Sequence, residues 1–117
     1  MSWSHACYAS DLVDDKPLSV EVADELVAIV QHEGELFAIR DECSHGRVML
    51  SLGEVADATI ECFAHGSRFD LRTGEALDLP ATRPVPVYPV KVEGDDVFVD
   101  LAQPIDPNVY THSNQES

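Results

Sequence analysis

Cys43-Ser44-His45-Gly46 and Cys62-Phe63-Ala64-His65-Gly66-Ser67-Arg68-Phe69 are the two segments on which the reading of this chain turns. Each sets a cysteine close to a histidine, C-x-H in the first and C-x2-H in the second, with sixteen residues between His45 and Cys62. Thiolate and imidazole are soft or borderline donors, and four of them in two close pairs suggest a metal site. Each pair runs into a glycine, Gly46 and Gly66. Glycine lets a loop turn sharply and lets backbone N–H groups approach an anion such as a sulfide. A closed tetrahedral zinc site also takes two Cys and two His. Zinc spacings usually pair like ligands, however, and here each pair is mixed. A third reading buries the cysteines as small hydrophobes and the histidines as satisfied core residues.

The pattern C-x-H-G…C-x2-H-G-S-x-F resembles the Rieske [2Fe–2S] signature. Asp70-Leu71-Arg72-Thr73-Gly74-Glu75, Leu79-Pro80-Ala81 and Tyr88-Pro89-Val90-Lys91-Val92 resemble the rest of a Rieske-type ferredoxin, so the resemblance runs nearly to Leu101. It implies one [2Fe–2S] cluster with Cys43 and Cys62 on one iron and His45 and His65 on the other. It also implies that Gly46, Gly66, Ser67, Phe69 and Pro80 surround that cluster, with Leu79-Pro80-Ala81 as its covering loop. Two ferric irons, two sulfides and two thiolates carry no net charge, so adding an electron costs less than in an all-thiolate cluster. The resemblance further implies a potential that depends on pH through the imidazoles. High-potential members place a Ser and a Tyr hydroxyl near the sulfides and bridge their cluster loops with two more cysteines. Here Ser67 keeps the first hydroxyl, Phe69 replaces the second, and neither loop has a spare Cys. A low potential follows, near the family's lower limit of about −150 mV. A simple turn role for Ser67 is the alternative.

Composition narrows the setting. The chain has 117 residues, enough for one domain with a real core. No stretch approaches the ~20 apolar residues of a membrane span. The opening Met1-Ser2-Trp3-Ser4-His5 lacks the basic and apolar regions of a signal peptide. Three cysteines, two of them expected ligands, leave no intramolecular disulfide and fit a reducing compartment. The expectation is a soluble, cytoplasmic monomer. Formal charge is −15, with net −3 over residues 42–83 and −12 over the rest. So negative a field argues against nucleic acid and anionic membranes. It suits steering toward a basic partner, or simply solubility. Arg47 and Arg68 flank the ligand loops, where they would dock an acidic patch or pair with carboxylates such as Asp70.

Taken in order, the chain reads as all-β, with an antiparallel β-sandwich base. Residues 3–8 form a first strand, on which His5 and Cys7, two apart, share a face as ordinary packing. Residues 18–22 alternate at period two, a turn falls at Asp24-Glu25, and 26–31 pair with 36–39 across a Gly34 hairpin. His32 beside that hairpin reads as an exposed polar residue. Regular alternation stops at Asp41. Residues 42–83 read as a small cluster-binding subdomain inserted into the base (1–41 and 84–105), with strand fragments at 59–63 and 68–70. Residues 85–92 resume as a strand in which Pro86 and Pro89 remove ladder donors, so that it starts at an edge or pairs fully only after Pro89. A turn at 93–96 and a strand at 97–101 close the base. Residues 106–117 are a polar tail. No window supports an amphipathic helix of useful length.

No catalytic dyad, triad or mononuclear iron site is visible beside the cluster ligands. The resemblance is strongest to ferredoxins of multicomponent aromatic-ring hydroxylating dioxygenases. It implies a non-catalytic carrier that takes one electron from a flavin-dependent reductase and passes it to a terminal oxygenase. The alternatives are a small Rieske subunit of another redox enzyme, such as an assimilatory nitrite reductase, and a zinc-stabilised interaction module.

Overall fold

The strand whose residues are apolar on both faces explains the architecture. In β3 (Glu25–His32), Val27, Ala28, Ile29 and Val30 are all fully buried. A half-exposed strand would alternate, and a run like this needs both sheet faces covered. The computed structural model, which describes residues 3–44, 46–64, 66–102 and 104, shows what covers them. Val27 and Ile29 point into one core with Cys7, Val97 and Val99, whereas Ala28 and Val30 point into a second with Ile60, Phe69 and Leu71. Fully burying each Val or Ile is worth about 1.5–3 kcal/mol.

Every strand pairing is antiparallel. β2 (Leu18–Val22), β3, β4 (Glu35–Arg40) and β8 (Val87–Tyr88) form the central sheet in that order. β1 (Ser4–Tyr8), β10 (Asp96–Val99) and β9 (Val90–Glu93) form a second sheet, packed across the first core. β5 (Glu54–Ala56), β6 (Thr59–Glu61) and β7 (Arg68–Asp70) form a third, small sheet, and its core residues share the second core with the central sheet. The all-β antiparallel sandwich expected from the sequence is what the chain adopts. Apart from single 3-10 turns at Ala9–Asp11 and Leu50–Leu52, the described residues form no helix. None of these is long and apolar enough to cross a membrane.

Three details differ from the sequence expectation. His5 and Cys7 do not share a face: the register to β10 slips between them, His5 opposing Phe98 and Cys7 opposing Val97. The slip leaves Ala6 as an extra residue, so Cys7 turns into the core while His5 stays exposed beside Asp96. The β2–β3 turn falls on Ala23-Asp24, both at positive φ (49° and 68°), one residue earlier than Asp24-Glu25. Residues 85–92 are not one strand. β8 belongs to the central sheet and β9 to the second, with Pro89 at the crossing. Pro89 has no N–H to lose from a ladder, and its carbonyl accepts from Asp100 N–H at 3.2 Å.

Candidate metal centre

The two cysteine loops are built alike. Cys43 N–H donates to the Val48 carbonyl at 2.8 Å, and Cys62 N–H donates to the Ser67 carbonyl at 2.7 Å. Each bond spans five residues and closes a loop on its own cysteine. Inside each loop a glycine N–H turns back to the cysteine carbonyl, Gly46 to Cys43 at 3.2 Å and Gly66 to Cys62 at 2.8 Å. Gly66 sits at φ +77°, a conformation that glycine adopts without strain. The thiols face inward: Cys43 is 3% and Cys62 0% exposed, and neither is in a disulfide, within the core that holds Leu50, Ile60 and Phe69. The tip of the second loop faces outward, with Phe63 at 60% exposure and Ala64 and Gly66 also exposed, whereas Ser44 and Gly46 of the first are half-buried. His45 and His65 lie outside the described residues, so their expected ligand role rests on sequence. Among the described residues no group of three or more His, Cys, Asp or Glu side chains converges as a metal site. His5 is exposed and Cys7 buried, so these two side chains do not face one site.

A third segment closes over the second loop. Ser67 is buried, and its Oγ accepts the Ala81 N–H at 3.1 Å. Ala81 is buried, whereas Leu79, 77% exposed, and Pro80, which follows a cis peptide, face solvent. Ser67 is thus more than a turn residue: it pins the expected covering loop. Phe69 is fully buried in the core. Arg68 does not pair with Asp70. Its Nε and Nη2 donate to Asp78 at 2.6 and 3.2 Å, and its backbone N–H donates to the same carboxylate at 3.2 Å. The Arg68 hydrogen bond holds the Asp78 carboxyl below the usual carboxylate range. Asp70 instead caps the following turn, accepting from the N–H groups of Arg72 and Thr73.

The first loop has its own fastenings, which the sequence reading passed over. Asp41 is buried at the end of β4, and its carboxylate accepts the Ser51 N–H and the Ser51 hydroxyl, both at 2.7 Å. Ser44 Oγ donates to the Arg83 carbonyl at 2.6 Å. Gly53 packs so closely on the strand entering Cys62 that a Cβ there would lie 1.7 Å from the Glu61 carbonyl oxygen. The available signal was an acidic residue where alternation ends, which only the fold shows to be buried. His32, expected to be exposed, is 13% exposed at its side chain and bonds Asp15 at 2.6 Å. That bond raises the His32 pKa.

Two buried, unbridged thiols on loops of matching hydrogen-bond pattern fit a cluster held between the loops. The Rieske [2Fe-2S] domain profile matches residues 2–89. The 3-phenylpropionate/cinnamic acid dioxygenase ferredoxin subunit of Escherichia coli (strain K12) is 44% identical over 107 residues, covering 89% of this chain and 100% of that protein. The ferredoxin of carbazole 1,9a-dioxygenase from Nocardioides aromaticivorans IC177 superposes with a TM-score of 0.81 at 31% identity, over 85% of this chain and 97% of that one. A ferredoxin solved in complex with the reduced oxygenase of carbazole 1,9a-dioxygenase matches at a TM-score of 0.77 and 33% identity, over 83% and 91%. These matches make the cofactor an iron–sulfur cluster and set the zinc reading aside. The chain belongs to the Rieske [2Fe–2S] domain family, among its small ferredoxins, which transfer electrons and catalyse no substrate chemistry.

Proposed function

We propose that this protein carries single electrons from a flavin-dependent reductase to the terminal oxygenase of an aromatic-ring hydroxylating dioxygenase, in transient complexes, as a cytoplasmic monomer. Cys43 and Cys62 hold one iron and His45 and His65 the other, in a cluster-binding subdomain at 42–83 set in a base of 1–41 and 84–105. The observation that carries this reading is the matched pair of loops, each closed by the same two backbone hydrogen bonds and each with its thiol buried. Bound there, the cluster supplies a one-electron couple whose histidine ligation raises its potential above that of all-thiolate clusters.

The chain's residues do the rest. The core around Cys43 and Cys62 excludes water from the thiolate side. Ser67, having accepted the Ala81 N–H, keeps its hydroxyl proton free to donate toward a sulfide, the one such donor left where Phe69 replaces Tyr. Phe63 and Leu79 offer exposed apolar surface beside the second loop for a short-lived contact with a partner. The test is reduction of the oxidised protein by NADH through the flavin reductase of an aromatic dioxygenase system, followed by mixing with its oxygenase. Bleaching by one electron per chain, reversed by the oxygenase, is expected. Reduction by dithionite alone would contradict the carrier role. Cys43→Ser and Cys62→Ser should abolish the visible spectrum, and His112→Ala should leave it intact.

A further inference from the structure

Three arginines stand without carboxylate partners in a chain that has carboxylates to spare. Acidic residues outnumber Lys and Arg by 22 to 7. Arg68, Arg72 and Lys91 pair with Asp78, Glu35 and Glu93. Arg40, Arg47 and Arg83 make no ion pair among the described residues, yet all three line one groove of about 350 Å3 with Cys43, Ser44 and Glu42. The groove is built rather than incidental. Ser44 Oγ bonds the Arg83 carbonyl, and Arg40 N–H donates to the Pro86 carbonyl at 3.0 Å, so the first cluster loop, the end of β4 and the 83–86 segment are tied together.

We infer that this groove receives carboxylates from a surface loop of the electron-accepting partner, beside the first cluster loop. The inference rests on the carrier reading above. A guanidinium presents five donors in a planar fork that matches a carboxylate bidentately, and an unpaired one has all of them available. Glu42, the acidic side chain in the wall, leaves the groove net positive. The rest of the surface is strongly acidic, so a partner with carboxylates here and cations around them is accepted in one rotational setting and repelled in others. The groove thereby sets the orientation in which the cluster loop meets the acceptor.

The holoprotein would be titrated against a fluorescein-labelled peptide of alternating glutamate and glycine, followed by anisotropy. At ionic strength near 0.1 M the Debye length is about 10 Å, so repulsion from distant carboxylates is screened while contacts in the groove persist. Saturable binding is expected, weakened at least tenfold by Arg47→Glu with Arg83→Glu, and largely restored by Lys at both positions. Arg72→Ala, which removes a paired arginine, should change it less than twofold. Absence of saturable binding, or equal loss in Arg72→Ala, would overturn the inference. Inorganic phosphate displacing the peptide at equal charge concentration would also overturn it, by making the groove a free-anion site. The electron paramagnetic resonance signal of each reduced variant is recorded alongside. Its loss would count against the carrier reading, whereas its retention with unchanged peptide binding would count against the groove alone.

Discussion

Replacing Ser67 by alanine tests the covering loop and the cluster environment at once. The Ser67 hydroxyl is buried, and its partner, the Ala81 N–H, belongs to an equally buried residue, so water cannot readily replace the bond. Leaving a buried donor unmade costs about 1–3 kcal/mol, and the small void left by one oxygen adds little. At roughly 4 °C per kcal/mol for a domain of this size, Ser67→Ala should melt about 4–12 °C below the native protein. The same hydroxyl has one proton left to donate. A hydrogen bond to a charged acceptor is worth about 1.5–3 kcal/mol, and for one electron 59 mV corresponds to a tenfold change. If half or more of that interaction appears only on reduction, the potential should fall by roughly 30–130 mV. Thermal melting followed at the cluster's visible band, with protein-film voltammetry, reads both effects. A lowered melting temperature with an unmoved midpoint would reduce Ser67 to a loop pin. An unmoved melting temperature would refute the reasoning about the Ala81 bond as well.

Other outcomes follow from the same geometry. Gly53→Ala puts a Cβ against the Glu61 backbone next to Cys62, and overpacking of this kind costs about 1–3 kcal/mol or more; melting temperature and iron content should both drop. Gly34→Ala, in open space, should cost only the roughly 1–2 kcal/mol of its positive φ and leave iron content unchanged. The Asp15 bond raises the His32 pKa, so its stabilisation is complete below the unfolded value of about 6.5 and is lost as pH rises through the higher folded value. The melting-temperature gap between native protein and His32→Gln should therefore shrink from about pH 6.5 upward, and a constant gap would refute the pairing. Burial, with Asp11 and Asp95, pushes the Cys7 thiol up. Iodoacetamide at neutral pH should leave Cys7 unmodified in the folded protein, and Cys7→Ser should keep the spectrum.

What could be read from the chain, and what could not, divides along physical lines. The β3–β4 hairpin was legible because Gly34 marks it and the flanking apolar runs are long. β5 was not singled out, because it is three residues long and its turn, Asp57-Ala58, holds positive φ at both positions without a glycine. The Ala23-Asp24 turn was misplaced for the same reason. Propensity rules for turns read side chains, whereas these turns are imposed by the strand pairing around them. The bulge after His5 leaves no mark in an alternating sequence, so period-two reasoning put His5 and Cys7 on one face. Pro86 and Pro89 rightly signalled a weak ladder, but a change of sheet at Pro89 needs the second sheet in view. At the site, residue types and spacing carried the cysteine loops. Local spacing favoured Asp70 for Arg68, whereas the fold brings Asp78 to it from the covering segment.

The central claim is that two Cys and two His hold a [2Fe–2S] cluster that takes one electron. The most direct measurement is pulsed electron paramagnetic resonance on the dithionite-reduced protein, with iron and sulfide analysis of the same sample. About two irons per chain and a rhombic signal carrying nitrogen couplings from two imidazoles are expected, the couplings vanishing or halving in His65→Ala. An iron-free, silent sample, or a signal without nitrogen coupling, would contradict the account.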